Sequence, residues 1–144
     1  MEKTKVIFLC VGNSARSQMA EAFLRKYAGN QFEVYSAGFD PRPIHQYTIE
    51  VMRELGYDLS GQYPKELKQY LGTTHFGIVI TLCAESEERC PTIPGVGTRL
   101  YWPFEDPAAF QGTEEEKLAK FRELRNQIDE KVQAWLKTRG ITEN

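Results

Sequence analysis

This sequence has little net charge, no long apolar run and few cysteines, and each shortage excludes a class of protein. Its 18 lysines and arginines against 20 aspartates and glutamates leave a net charge of -2. Such a balance provides no broad basic surface for nucleic acid or an anionic membrane. The first apolar run, residues 6–11, is also too short for a signal-peptide core or a membrane span. We therefore expect a cytoplasmic protein that binds neither nucleic acid nor membrane.

The cysteines are Cys10, Cys83 and Cys90. An odd number of cysteines without a secretory signal argues against a structural disulfide framework, so reactive thiols and buried, inert thiols are both possible. The chain shows no repeat, low-complexity tract or linker, and 41% of its 144 residues are hydrophobic. These features predict a single domain over residues 1–144.

Strand-like and helix-like segments alternate along the chain. Apolar runs predict strands at residues 6–11, 32–36, 76–82 and 98–102. Helical spacing of apolar side chains predicts helices over residues 19–27, 44–55 and 118–135, with a shorter helix at 64–71. Thr113 and Glu116 match a capping box before the last helix. This alternation predicts an α/β fold with a mostly parallel sheet and helices on both faces.

Three chemically different side chains follow predicted strands. Cys10 ends the first strand, Cys83 follows the third and Asp106 comes shortly after the fourth. Open parallel sheets bind ligands at the carboxyl ends of their strands, so we expect these groups at one edge. In a flavodoxin-like strand order the first and third strands are neighbours, about 4.8 Å apart, and Cys10 and Cys83 could then form a disulfide.

The segment after Cys10 has the composition of an anion-binding loop. Its small or turn-tolerant residues could point successive amide N–H groups inward at a helix N-terminus, and Arg16 adds a planar double donor. The helix N-terminus, Arg16 and Ser17 would all favour a Cys10 thiolate, although a buried, inert Cys10 is the alternative. The predicted oxyanion-binding residues are Val11, Gly12, Asn13, Ser14, Ala15 and Arg16.

These residues resemble those of a known family. Cys10, Arg16 and Ser17 resemble the C-x5-R-S loop of low-molecular-weight protein tyrosine phosphatases. The resemblance extends to YSAGF at residues 35–39 and to the late pair Asp106 and Pro107, and so covers nearly the whole chain. It implies a four-stranded parallel sheet in the order 2-1-3-4, with Cys10 as nucleophile and Asp106 as general acid. Glu105 is the rival carboxylate.

The segment TLCAESEERCP, residues 81–91, resembles the redox segment of the thioredoxin-coupled arsenate reductases built on this fold. On that resemblance, Cys10 attacks arsenate while Arg16 holds its oxygens. Cys83 then displaces arsenite by forming a disulfide with Cys10, and Cys90 takes over Cys83. Thioredoxin or a glutaredoxin-type dithiol would reduce the final disulfide. Phosphate and sulfate would compete for the loop, and the protein would act as a monomer without a bound cofactor.

Electron counting and helix geometry are consistent with this relay. Two thiols supply the two electrons that reduce arsenate, and a third can carry the oxidised pair outward by exchange. The residues between Cys83 and Cys90 are helix formers, and a helix would separate the two by about 10.5 Å, beyond disulfide reach. We therefore predict that residues 83–94 unwind on oxidation.

A metal site is implied only in part. Some of these reductases bind potassium beside the loop, and Asn13, Glu21 and Ser36 resemble three of its ligands. The segment PKEL, residues 64–67, does not clearly supply the acidic fourth ligand, and Lys65 could place an ammonium there instead. Asn13 could also brace the loop through its side chain.

Three hypotheses for function follow. The first is a thiol-dependent arsenate reductase. The second is a low-molecular-weight phosphatase that hydrolyses phosphate monoesters through a Cys10 phosphocysteine. The third is a non-catalytic zinc or oxyanion sensor that uses the three cysteines and His75, although the usual closely spaced cysteine pairs of zinc sites do not occur.

Overall fold

The computed structural model describes residues 3–141, which form a four-stranded parallel sheet flanked by helices. The strands are β1 (Thr4–Cys10), β2 (Phe32–Gly38), β3 (Ile78–Thr81) and β4 (Thr98–Tyr101). The helices are α1 (Arg16–Ala28), α2 (Gln46–Arg53), α3 (Ala84–Arg89) and α4 (Glu114–Thr138). The strands pair in the order β2-β1-β3-β4, all parallel, which confirms the predicted sheet and its order.

The central strand β1 carries the core on both of its faces. Val6, Phe8 and Cys10 point into a large cluster that α1, α2 and α4 cover, whereas Ile7 and Leu9 point into a smaller cluster on the other face. All five side chains are buried, and each fully buried large apolar side chain contributes about 1.5–3 kcal/mol. This two-sided burial explains the uninterrupted apolar run, and it fixes the position of Cys10 at the carboxyl edge.

The segment at residues 64–71 differs from its prediction. Only a short 3-10 turn, Leu67–Gln69, forms there instead of a helix. The backbone is extended at Glu66, and the preceding Lys65 is held by two long-range hydrogen bonds: its carbonyl accepts from the Gly38 N–H at 2.8 Å and its own N–H donates to the Asn13 side chain at 2.9 Å. Long-range pairing with the end of β2 and with the loop after β1 thus prevails over local helix propensity.

Side-chain caps set where α2 and α4 begin. α2 is shorter than predicted because His45 is its extended N-cap, whose Nδ1 accepts from the Tyr47 N–H. The capping box of Thr113 and Glu116 forms at the start of α4 as predicted. α3 spans the stretch between Cys83 and Cys90, as its helix-forming residues predict.

In the part of the chain that the structure describes, no helix has both the length and the apolar character of a membrane span.

Candidate active site

The segment that joins β1 to α1, residues 10–17, is called here the oxyanion loop. Its carbonyls accept hydrogen bonds from outside the loop: Val11 from the N–H groups of Phe39 and Asp40, Gly12 from that of Arg42, Asn13 from the Gln18 side chain, and Ser14 from the His45 N–H and the Thr48 hydroxyl. Because a planar trans peptide points its C=O and N–H in opposite directions, the next amides, at residues 12–15, face the other side. The carbonyls of the loop are thus engaged away from the cavity, which is compatible with the inward N–H groups that an anion-binding nest requires.

Asn13 braces the loop from within. It adopts a left-handed backbone conformation, with φ of 50°, which asparagine tolerates better than most residues. Its buried side chain donates to the hydroxyls of Ser17 at 2.7 Å and Ser36 at 3.0 Å and accepts from the Lys65 N–H. Gly38 lets the end of β2 pack closely against the oxyanion loop, because a Cβ at residue 38 would lie 2.5 Å from the Val11 carbonyl oxygen.

Cys10 lies at the base of the loop with a hydroxyl as its nearest polar partner. Its Sγ is 2.8 Å from the Ser17 Oγ, and both side chains are buried. The Ser17 oxygen also accepts from the Asn13 amide, which holds the hydroxyl beside the sulfur. Cys10 thus lies at the N-terminal end of α1 with a hydroxyl against its sulfur, the position in which a cysteine nucleophile is expected.

Arg16 and Asp106 lie on the same side of the site. The Arg16 side chain is only 11% exposed, and it donates to the Phe104 carbonyl at 3.1 Å while a second nitrogen lies 4.0 Å from the Asp106 carboxylate. Asp106 also accepts from the Ala108 N–H at 3.0 Å, which fixes its direction at the start of a 3-10 turn. The segment that follows β4 thus places the Asp106 carboxylate beside Arg16.

A cavity of about 240 Å³ brings these groups together. Its lining includes residues of the oxyanion loop together with Cys83 and Asp106. Cys10, Cys83 and Asp106 therefore lie together at one edge of the sheet, as the sequence predicts. Arg42 also lines the cavity, with its Nε 3.3 Å from where a Gly12 Cβ would lie. The complete lining is Cys10, Val11, Gly12, Ser14, Ala15, Arg16, Arg42, Cys83, Glu85, Asp106 and Ala108.

Cys90 lies elsewhere. Cys83 and Cys90 flank the two ends of α3, and Cys90 packs in the smaller core cluster on the opposite face of the sheet from Cys10. All three thiols are free and buried. Burial raises the pKa of Cys90, with Arg99 opposing the shift. The structure therefore places two sulfurs at the cavity and separates the third from them by one short helix.

The three side chains that resemble potassium ligands lie together below the loop. Ser36 donates to the buried Glu21 carboxylate and accepts from Asn13. The ammonium of Lys65, a residue that is only 6% exposed, lies 3.6 Å from the same Glu21 oxygen. Lys65 therefore places a positive charge among these groups.

Two contributions to the site were not predicted from the sequence. Arg42 was missed because it lies in the connection after β2, 26 residues beyond Arg16, with no local pattern to mark it. Gln18 was missed because it occupies an ordinary helical position, although its buried amide ties the Asn13 carbonyl to that of Tyr63. The YSAGF motif, which ends a few residues before Arg42 in the sequence, was the one signal that pointed to this segment.

The fold and this arrangement define a class of protein: a cysteine-dependent enzyme that holds a tetrahedral oxyanion in a loop between the first strand and the first helix. Comparison with known proteins is more specific. The family model described as low molecular weight phosphotyrosine protein phosphatase matches residues 5–143, and the chain belongs to this family.

Individual relatives are similar over nearly the whole chain. An arsenate reductase of Halalkalibacterium halodurans is 39% identical over 138 residues, which is 96% of this chain and 99% of the relative. A solved arsenate reductase in the phosphate-binding state has a TM-score of 0.75 at 29% identity, with 94% of this chain and 98% of that chain covered. A thioredoxin-dependent arsenate reductase of Corynebacterium glutamicum has a TM-score of 0.59 at 30% identity and covers 92% of this chain, which spans 63% of that one.

Proposed function

We propose that this protein reduces arsenate to arsenite through a relay of three thiols. Arsenate binds to the amides of the oxyanion loop and to Arg16, and the Cys10 thiolate attacks the arsenic. One arsenate oxygen leaves as water, with Asp106 donating a proton. Cys83 then attacks the Cys10 sulfur, so that the new S–S bond replaces the S–As bond and its electron pair leaves with arsenic as arsenite. Cys90 next attacks Cys83 and releases the Cys10 thiolate.

The observation that carries this proposal is the presence of Cys83 in the lining of the Cys10 cavity, with Cys90 one short helix away. A phosphatase needs only Cys10, Arg16 and a general acid, so the second and third thiols would have no task in one. Relatives that cover almost the whole chain and are named arsenate reductases support the same conclusion.

The walls of the cavity also favour a small free oxyanion. Within the described residues, the lining includes no aromatic ring that could stack on a phosphotyrosine. It includes two guanidinium groups, from Arg16 and Arg42, which suit a compact anion that carries more than one negative charge. Hydrolysis of phosphate monoesters is the second candidate function, because the oxyanion loop and the family are shared with phosphatases.

The final disulfide requires an external dithiol. We propose thioredoxin as the first candidate and a glutaredoxin-type protein as the second, because a Cys83–Cys90 disulfide must pass its oxidation to another thiol pair by exchange. The similarity to a thioredoxin-dependent enzyme supports this order. We further propose that residues 1–144 form one catalytic domain, and that the protein acts as a monomer in the reducing cytoplasm.

Serine variants of the cysteines test the proposal. Arsenite production should be measured with thioredoxin, its reductase and NADPH, beside hydrolysis of p-nitrophenyl phosphate. We expect Cys10→Ser to lose both activities, and Cys83→Ser and Cys90→Ser to lose steady-state arsenite production while keeping any hydrolysis. Steady-state arsenite production by Cys83→Ser would overturn the relay, whereas hydrolysis without any arsenite production by the unmodified protein would favour a phosphatase.

Asp106 has a separate test, because Glu105 is its immediate neighbour. We expect Asp106→Asn to lower kcat for arsenate by about 100-fold or more, the usual contribution of a general acid. Glu105→Gln is the matched control and should stay within about twofold of the unmodified protein. An equal loss in both variants would remove Asp106 from the proposed role.

A further inference from the structure

A continuous chain of buried polar contacts runs from Lys65 to the nucleophile. The Lys65 ammonium pairs with Glu21, which accepts from Ser36. The Asn13 amide then donates to the hydroxyls of Ser36 and Ser17, and the Ser17 Oγ contacts the Cys10 sulfur. Every donor in this chain has its acceptor, so each side chain sets the orientation of the next.

The Glu21 carboxylate lies at a depth where it needs partners of opposite charge. Glu21 is 4% exposed, and an unpaired buried carboxylate is strongly unfavourable. Arg25 contacts its other oxygen at 2.7 Å from the partly exposed side of α1. Lys65 approaches from the buried side and is itself held by the Tyr63 carbonyl at 2.6 Å and by the face of the Tyr63 ring. Burial lowers the pKa of Lys65, and the charge of Glu21 opposes that shift.

The same geometry does not fit a potassium ion among Asn13, Glu21 and Ser36. The side-chain Oδ1 of Asn13 already accepts from the Lys65 N–H, and the Glu21 oxygen faces an ammonium 3.6 Å away. A second cation between them would be repelled by that ammonium.

We propose that the Lys65 ammonium is a built-in cation that pairs with the buried side of Glu21 and thereby holds Ser36, Asn13 and Ser17 in their orientation toward Cys10. Lys65 is thus a positioning residue that acts on the nucleophile through four other side chains. It also makes the oxyanion loop independent of monovalent metal ions. This inference rests on Cys10 as nucleophile and does not depend on which oxyanion the site accepts.

Two variants of Lys65 separate this role from simple packing. Lys65→Met keeps most of the volume and removes the charge. Its Cys10 alkylation rate with iodoacetamide, followed by mass spectrometry at neutral pH, should fall roughly three- to tenfold because the thiolate is less favoured. Lys68→Met removes an exposed lysine of the same segment and should leave the rate unchanged.

Salt exchange tests the cation itself. The thermal midpoint of the unmodified protein should be the same in potassium and in sodium at equal ionic strength. Lys65→Asp replaces the ammonium with an oxygen ligand, so its midpoint should fall by about 10 °C in sodium and recover in part in potassium. Lys68→Asp should show neither effect. If Lys65→Asp does not fold, the inference is tested by the salt comparison on the unmodified protein and by the alkylation rate of Lys65→Met. Stabilisation of the unmodified protein by potassium, or an unchanged alkylation rate in Lys65→Met, would overturn the inference.

Discussion

The oxyanion loop and the segment of residues 83–97, called here the redox segment, border the same cavity but are held in different ways. The loop is fixed by buried, uncharged hydrogen bonds, of which Asn13 alone makes three. Within the α3 helix of the redox segment, Ser86 is the one buried residue, and the buried Cys83 and Cys90 flank the helix. Exposed or half-exposed ion pairs hold this helix in place: Arg89 with Asp40 at 2.8 Å and Glu87 with Arg99 at 3.1 Å.

This contrast matches two chemical needs. Buried hydrogen bonds are costly to leave unmade, so the loop keeps its amides and thiol in one geometry before an oxyanion arrives. Exposed ion pairs contribute little to stability, so the redox segment can open locally while the sheet stays folded. The proposed relay needs both properties, because Cys90 lies on the far face of the sheet and reaches Cys83 only if α3 unwinds.

The largest expected difference between the two regions concerns conservative changes of charge. Arg16→Lys keeps the charge but removes the planar pair of donors that matches two oxygens of the anion. We expect kcat/KM for arsenate to fall by about 100-fold, as for the loss of a single oxyanion donor.

Arg89→Lys is the matched change in the redox segment. Because Arg89 lies on the surface and pairs with Asp40 and Glu85, lysine should retain most of its effect, with kcat/KM within about twofold. Both constants come from the same coupled arsenate assay. Similar losses in the two variants would remove the distinction between a rigid loop and a loosely held helix.

The second expected effect is on stability. Asn13→Ala removes three buried hydrogen bonds and leaves Ser36, Ser17 and the Lys65 N–H with fewer partners. We expect the free energy of unfolding to fall by about 2–4 kcal/mol in urea titrations. Asn30→Ala, at an exposed position, is the control and should change it by less than about 0.5 kcal/mol. A fall no larger than in the control would mean that the loop is not braced by Asn13.

Much of the loop and of the fold could be predicted because the signals are local. The apolar run of β1 and the five small residues before Arg16 are consecutive in sequence, so periodicity and turn chemistry apply directly. The sequence between Cys83 and Cys90 likewise predicted α3 from helix-forming residues alone.

The rest depends on contacts between distant residues. The hydrogen bond from Lys65 to Asn13 spans 52 positions, and the backbone beside it is extended at Glu66 where local propensity favoured a helix. Arg42 enters the cavity because the connection after β2 folds back against the loop carbonyls. No periodicity within one segment carries information about such pairings, so they became visible only in the folded chain.

A smaller effect should follow from releasing α3 at its exposed end. Asp40→Asn removes the charge that pairs with Arg89, while the Asp40 backbone N–H still donates to Val11. We expect thermal stability to stay close to that of the unmodified protein, because an exposed pair contributes little. Amide hydrogen exchange across residues 84–90 should nevertheless become several-fold faster, because less energy opens the helix locally.

Asp58→Asn provides the control for this release. Asp58 is exposed, and its contact is with the Ser60 N–H. Exchange across α3 should be unchanged in this variant. Unchanged exchange in Asp40→Asn as well would show that the Arg89 pair does not hold the redox segment.

The smallest expected effect is a dependence on pH at the buried end of α3. Burial raises the pKa of Cys90 above its ordinary value of 9.0, so the folded protein holds the thiol proton more tightly than the opened segment does. Burial of Cys90 therefore adds stability below about pH 9 that is lost as the pH rises through the raised pKa. We expect the difference in unfolding free energy between the reduced unmodified protein and Cys90→Ala to shrink from about pH 8 to pH 10. Arg99 opposes the shift, so Arg99→Gln should make this loss larger and extend it to higher pH. A constant difference across that range would show that the redox segment exposes Cys90 as freely in the folded protein as in the unfolded chain, and the contrast with the oxyanion loop would then not extend to its thiol.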